Sequence, residues 1–292
     1  LIFQNWKKKR RQTMTQPLLS AIQLSSFKTP TENLALLERL LTQLPEQRPQ
    51  LVVVPEAFSC FGAGDRAQLE MAEPVGDGPV QQRLSELAKQ HEIYLVGGTI
   101  PLQAGDRFAA ASLCYGPDGE CLARYDKIHL FDVDVADNTR QYRESRWTRA
   151  GSSIVTIDLG FAVVGMAVCY DLRFPELFKA LRAKGADIIL LPSAFTEVTG
   201  AAHWHSLVRA RAIEQQVYML APNQYGEAAN GRRTYGHSMI VDPWGEVMAE
   251  QADGEGVVSA YFDREKLENI RAQMPVAEQT RLTVSANVNE DV

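Results

Sequence analysis

Four cysteines, none of them in a C-x-x-C pair, are all the thiols this 292-residue sequence contains. That spacing excludes a thioredoxin-type redox motif and the usual structural zinc knuckle. Four thiols in so long a chain also do not make a disulfide framework, so a reducing cytoplasm is the expected setting. Long apolar runs are missing too: no stretch approaches the roughly twenty residues that cross a bilayer, and no membrane span is expected. Positive charge is in short supply. The 30 Lys and Arg stand against 36 Asp and Glu, a net charge of −6, which argues against a general nucleic-acid binder. A Pro/Ser-rich linker is absent as well, and one large domain is the better reading. With a hydrophobic fraction of 45%, such a domain needs no staples to bury a core.

The start is the one basic segment. Lys7-Lys-Lys-Arg-Arg11 precedes Met14, and Thr-Met-Thr-Gln-Pro follows where a signal peptide would carry its apolar stretch. Residues 1–13 are read as a non-native or disordered leader. Residues 14–282 form the expected domain, and residues 283–292 a loose C-terminal extension.

From Leu18 onward strands and helices alternate. Strand patterns cover residues 18–24, 51–54 and 93–100, and helical spacing covers 31–44, with Thr29 or Thr31 as N-cap, and 80–91. Gly116-Pro-Asp-Gly119 is a strong hairpin turn between strands at 110–115 and 121–125. Further strands are expected at 154–157, 162–168, 188–191 and 218–221, with helices at 175–184 and 203–216. Asp242-Pro-Trp-Gly245 reads as the turn between strands at 238–241 and 257–262. Hairpins mixed with helical crossovers imply an α/β layered fold with mixed sheets.

Chemistry gathers at three strand ends. The apolar run 161–168 stops at Cys169, and Pro175 suits the first position of the next helix. A thiol on such a turn lies close to unpaired backbone N–H groups, whose field is expected to favour the thiolate. A small buried apolar residue is the alternative for Cys169 taken alone. Glu56 follows the buried strand at 51–54, and Lys127 ends the strand at 121–125. Each alone reads as a solvated strand-end charge. Together they offer a base, a cation and a nucleophile beyond the strand ends, where α/β folds bind ligands. That set suits hydrolysis of a carbon–nitrogen bond. Glu56 accepts the thiol proton, and Lys127 with the backbone N–H of Tyr170 holds the oxyanion. No metal or organic cofactor is required.

The motifs Val54-Pro-Glu-Ala-Phe58, Tyr125-Asp-Lys-Ile-His-Leu-Phe131 and Cys169-Tyr-Asp-Leu-Arg-Phe-Pro-Glu176 together resemble the nitrilase superfamily of carbon–nitrogen hydrolases, over about Leu18 to Leu282. The resemblance implies a four-layer αββα sandwich with two mixed sheets, homodimers, and hydrolysis of a small-molecule amide or nitrile. It assigns Glu56, Lys127 and Cys169 to a Glu–Lys–Cys triad, as proton acceptor, proton donor and oxyanion stabiliser, and nucleophile. It also matches Glu144 to a second family glutamate that positions the lysine and assists catalysis.

Segments at 192–195, 199–204, 209–214 and 235–245 are similar to the branch of that family that hydrolyses deaminated glutathione to 2-oxoglutarate and cysteinylglycine, a metabolite-repair reaction. For its 2-oxo-acid carboxylate, Arg173 is a candidate partner, with a structural salt bridge to Glu176 or another acid as the alternative. Thr199 and the adjacent Gly200 are candidate donors to the same group. The runner-up is an omega-amidase acting on 2-oxoglutaramate. A catalytically silent scaffold, or a redox sensor in which Cys60 resolves Cys169, is the reading from another class. His203 and His205 are two apart on a helix and do not face together, and no acidic third ligand stands nearby in the sequence, so no metal site is expected there.

Overall fold

The computed structural model describes residues 16–282. The readings for residues 1–13 and 283–292, and for a start at Met14, lie outside the described residues.

The first half supplies β1 (Leu18–Gln23), β2 (Gln50–Val53), β3 (Tyr94–Val96), β4 (Ile100–Ala104), β5 (Arg107–Tyr115) and β6 (Cys121–Asp126). With them come helices α1 (Pro30–Leu41), α2 (Asp65–Glu70) and α3 (Pro79–His91). A ribbon of β7 (Asp132–Asp134) and β8 (Gln141–Arg143) leads to β9 (Thr156–Asp158), β10 (Val163–Met166), α4 (Pro175–Ala183) and β11 (Ile188–Leu190). Then follow α5 (Glu197–Gln215), β12 (Tyr218–Ala221) and a second ribbon, β13 (Tyr225–Glu227) with β14 (Arg233–Tyr235). The series closes with β15 (Ser238–Val241), β16 (Val247–Gln251), β17 (Gly256–Tyr261), α6 (Arg264–Gln273) and the short α7 (Val276–Gln279).

Two mixed sheets result. One runs β17-β1-β2-β3-β5-β4 with β6 paired to β5, and the other runs β16-β15-β12-β11-β10-β9. Strand periodicity explains the layering. Leu19, Ala21, Leu51 and Val53 face the second sheet, in one core with Val164, Met166, Ile188 and Leu220. The alternate residues Ile22, Val52 and Val54 pack with Leu37, Leu40 and Leu41 of α1 and with Leu84 and Leu87 of α3. On the far side, Phe178 and Leu181 of α4 and Trp204 and Val208 of α5 cover the second sheet. The chain is an αββα sandwich, as the family resemblance implied, with the mixed sheets that its patterning implied. Thr29 caps α1 by accepting from the Glu32 backbone N–H, and Pro175 begins α4.

Three elements depart from the periodicity. The apolar segment 93–100 is not one strand: β3 ends at Val96 and β4 begins at Ile100. Between them Gly98 adopts φ +53°, and a Cβ there would lie 1.8 Å from the Pro55 carbonyl oxygen. Only glycine permits that approach. Helix α5 starts at Glu197 rather than His203, capped by the Thr196 hydroxyl. Val198, Thr199 and Gly200 are weak helix formers, which hides the first turns. The turn at Asp242–Gly245 leads into β16, which pairs antiparallel with β15, while β17 pairs with β1 in the other sheet. Val247–Gln251 is half-buried and ends in polar residues, so it lacks strict alternation.

Candidate active site

β1, β2 and β3 are mutually parallel, as are β10, β11 and β12, and the chain leaves β2 and β10 toward the site. Glu56 follows β2 by way of Val54 and Pro55. The turn is tight, with Ala57 at φ +52° and its N–H donated to the Thr99 hydroxyl at 2.8 Å. Gln224 Nε2 donates to the Glu56 carbonyl at 3.0 Å. Cys169 follows β10 and opens a single 3-10 turn, Cys169–Arg173, with φ +45°. A non-glycine residue in the left-handed region is strained and persists only where its surroundings hold it. Its N–H donates to the Pro192 carbonyl at 2.9 Å. Beneath it, buried Asp171 accepts from the Val168 N–H at 2.8 Å, the Tyr125 hydroxyl at 2.7 Å and the His129 N–H at 3.1 Å. His129, stacked on Phe174 with ring centroids 3.7 Å apart, meets the same carboxylate through Nδ1 at 2.7 Å.

Lys127 follows β6 and is 2% exposed. Its Nζ donates to Glu56 Oε1 at 2.7 Å and to Glu144 at 2.8 and 3.1 Å. Glu144 Oε2 also accepts the Phe131 N–H at 2.6 Å, so this carboxylate joins the loop after Lys127 to the 3-10 turn Glu144–Arg146. Burial pulls the ammonium pKa down, but Glu144, Glu56 and Cys169 outweigh it, and Lys127 is held well above its ordinary range. That direction favours the ammonium form. Burial conversely lifts the Glu144 carboxyl above the usual carboxylate range, against the pull of Lys127.

The Cys169 thiol departs from the sequence expectation. Burial first, then the charge of Glu56, raises its pKa well above the ordinary thiol value. The hydrogen bond with Glu56 acts in the same direction, while Lys127 and the Ala194 backbone oppose it. The field of nearby N–H groups is therefore outweighed by desolvation, which disfavours the thiolate.

Glu56, Lys127, Glu144 and Cys169 line one cleft that encloses about 840 Å³ of empty space, part of it open to solvent. Tyr170 and Thr199 line it too, beside Phe195. The Thr199 and Gly200 backbone N–H groups are already spent on Thr196 in the helix cap, and the Thr199 hydroxyl is paired with the Thr196 hydroxyl at 2.8 Å. Arg173 is not in the lining. Its guanidinium donates to His203 Nδ1 at 3.3 and 3.4 Å rather than to Glu176, and lies over the Phe195 and Tyr170 rings at 5.5 and 5.9 Å. Two cations without a sequence signal, Arg232 and Arg233, do line the cleft. Both are committed: Arg232 makes a two-pronged contact with Asp65 at 2.8 Å, and Arg233 pairs with Glu197 at 2.8 Å. Asp171 lay inside a recognised motif, but its role depends on Tyr125 and His129, more than forty positions away in sequence. Thr99 gave no sequence signal.

Among the described residues, the His/Cys/Asp/Glu group with metal-ligand proximity is His205, His237 and Glu250, outside this lining. The helical argument that separated His203 from His205 holds, since they take different partners. The acidic neighbour of His205 comes from β16, forty-five residues away.

Residues 18–272 match the model of the carbon-nitrogen hydrolase family. The chain is 42% identical over 270 residues to a deaminated glutathione amidase of Yersinia enterocolitica, covering 91% of this chain and 94% of that one. It is 37% identical to the omega-amidase NIT2 of Homo sapiens, covering 92% and 96%. In structure it is similar to Nit3 of Saccharomyces cerevisiae, a member of branch 10 of the nitrilase superfamily. The TM-score is 0.80 at 34% identity, over 91% of this chain and 97% of that one. A cleft built from a carboxylate, a buried ammonium and a thiol at strand ends, in an αββα sandwich whose sequence matches along this whole length, has one consistent source: the chain belongs to the carbon–nitrogen hydrolase family of the nitrilase superfamily.

Proposed function

We propose that this amidohydrolase cleaves deaminated glutathione to 2-oxoglutarate and cysteinylglycine, with Cys169 as nucleophile, Glu56 as proton acceptor, and Lys127 as the cation that stabilises the oxyanion. The observation that carries this reading is the buried Lys127 ammonium, 2.7 Å from Glu56, in the same cleft as the Cys169 thiol. Glu56 takes the thiol proton as Sγ bonds to the amide carbon, and the carbonyl electrons move onto oxygen. Lys127 and the Tyr170 backbone N–H stabilise that oxyanion. Lys127 holds that oxygen as a proton donor through its N–H, and the proton carried from one step to the next is the one on Glu56. Collapse of the intermediate breaks the C–N bond, and the leaving amine takes its proton from Glu56. Glu56 then deprotonates a water that attacks the thioester, which releases the acid and returns the proton to sulfur. Glu144 positions Lys127.

For the 2-oxo-acid carboxylate, Arg173 is the best-suited cation. Arg232 and Arg233 already face carboxylates, whereas Arg173 meets an imidazole and lies against two rings of the cleft wall. The Thr199 hydroxyl, shared with that of Thr196, is the second contact to this group. The similar identity to an omega-amidase favours a second reading, hydrolysis of 2-oxoglutaramate with ammonia leaving, since both substrates share the 2-oxoglutaryl end.

Residues 14–282 are taken as one cytoplasmic hydrolase domain that works as a homodimer. Exposed Ile213 on α5, beside the Gly245 turn that carries Trp244 at 61% exposure, supports a self-association face. No described helix is long and apolar enough to cross a membrane.

The test compares kcat/KM for deaminated glutathione and 2-oxoglutaramate, with Cys169→Ala as control. A higher value for the first is expected, and loss of both activities in the control. A higher value for the second assigns the omega-amidase reading. Activity retained by Cys169→Ala removes the mechanism.

A further inference from the structure

His205 projects from α5, His237 precedes β15, and Glu250 lies on β16. One carboxylate oxygen, Glu250 Oε1, faces His205 Nε2 at 3.0 Å and His237 Nδ1 at 2.5 Å. One ligand atom from each of the three residues fits within 4.8 Å of the other two. Tetrahedral zinc, with bonds of about 2.0–2.2 Å, places its ligands about 3.3–3.5 Å apart, so adjustments on the order of an ångström would seat it. Two imidazoles and one carboxylate are a donor set that zinc and its neighbours accept.

The backbone around the cluster is held in place. His237 adopts φ +55°, and its carbonyl accepts from Trp204 Nε1 at 2.8 Å. The His237 ring stacks on Tyr235 with centroids 4.2 Å apart, and Tyr235 itself packs where Gly200 leaves no room for a Cβ. Glu250 pairs across the sheet with Met239. Partial burial disfavours its charge, yet hydrogen bonds from His237 and His205 keep its carboxyl below the ordinary range. Among the described residues its ion-pair partners are those two histidines alone. The three side chains are 38%, 27% and 28% exposed, open enough to admit an ion and a water in a fourth position.

We propose that His205, His237 and Glu250 bind one divalent cation of the zinc class, tying α5 to the β15–β16 hairpin. This site is separate from the hydrolytic cleft and does not depend on the substrate assigned there. In the empty state each imidazole donates to Glu250; on binding, each shifts its proton to its other ring nitrogen and presents a lone pair.

The test is calorimetric titration with ZnCl₂ of the full chain, freed of metal by a chelator and kept reduced, beside His205→Ala and Glu250→Gln. One zinc per chain at roughly micromolar affinity or tighter is expected for the parent, weakened about 10–100-fold or more in each variant. Zinc at about 100-fold over the parent Kd is expected to raise the parent Tm by about 5 °C and that of His205→Ala by no more than about half as much. Metal-free melting of both variants establishes that they fold. Zinc bound equally by parent and His205→Ala places the metal on thiols elsewhere and overturns the proposal. So does failure of the parent to bind zinc.

Discussion

The Lys127 ammonium lies 2.7 Å from the Glu56 carboxylate, and neither side chain is more than 10% exposed. Taking one partner away leaves the other charge buried without compensation, which costs more than the pair itself contributes. Lys127→Met is therefore expected to lose about 3–5 kcal/mol of stability as well as activity. Urea unfolding alongside kcat/KM measures both. Unchanged stability would mean that the carboxylates take up protons or water without penalty.

Glu144 touches Lys127 and the Phe131 N–H, not the expected position of the scissile bond. Glu144→Gln keeps an oxygen for Phe131 but loses the charge that centres the ammonium. A fall in kcat of about 10²-fold with KM little changed is expected, as for a misplaced catalytic group. An effect confined to KM would assign Glu144 to substrate binding.

The raised pKa of Cys169 has a direct readout. Its alkylation rate by iodoacetamide is expected to keep climbing with pH beyond the unperturbed thiol value of about 8.5. Glu56→Gln removes a negative charge and a hydrogen-bond partner, both of which raise that pKa, so the profile shifts to lower pH. A parent plateau below pH 8 would show instead that the N–H field prevails.

Acid stability is expected to depend on Asp187. Burial works against its charge, but hydrogen bonds from Arg264, the Val163 N–H and Arg271 hold its carboxyl below the ordinary value. A depressed folded pKa means stability that is present above the unfolded value of about 3.9 and lost as pH falls through the folded pKa. Asp187→Asn should lower stability at pH 7 by about 1–3 kcal/mol, with the difference from the parent shrinking below pH 4. A difference independent of pH would point to packing rather than charge.

Gly98 offers a steric test of the Glu56 turn. Gly98→Ala drives a Cβ into the Pro55 carbonyl, whereas Gly105→Ala, at φ +75° with nothing within 4 Å, meets only backbone strain. The first is expected to cost well over the roughly 1 kcal/mol of the second and to lower kcat. Thermal melts and kinetics on the pair separate collision from strain.

Much of the fold was legible because alternation and helical spacing are local. The Val-rich run of β2, the Gly116–Gly119 hairpin and the Thr29 cap all follow from neighbouring residues. Legibility failed where a distant contact overrides the local pattern. Gly98 breaks an apolar run because Pro55 comes close, and β16 joins a sheet although its own alternation is weak.

By itself, the sequence determined that Glu56, Lys127 and Cys169 each follow a strand, since the apolar runs and their stops lie side by side in the chain. Tertiary structure alone decided their state. The thiol pKa rises because burial and a facing carboxylate, contributed by residues more than a hundred positions away, outweigh the local N–H field. It also decided that His205 meets Glu250 and His237 instead of its sequence neighbour His203. Charge and coordination depend on distance in space, and chain spacing sets that distance only within a turn or a strand.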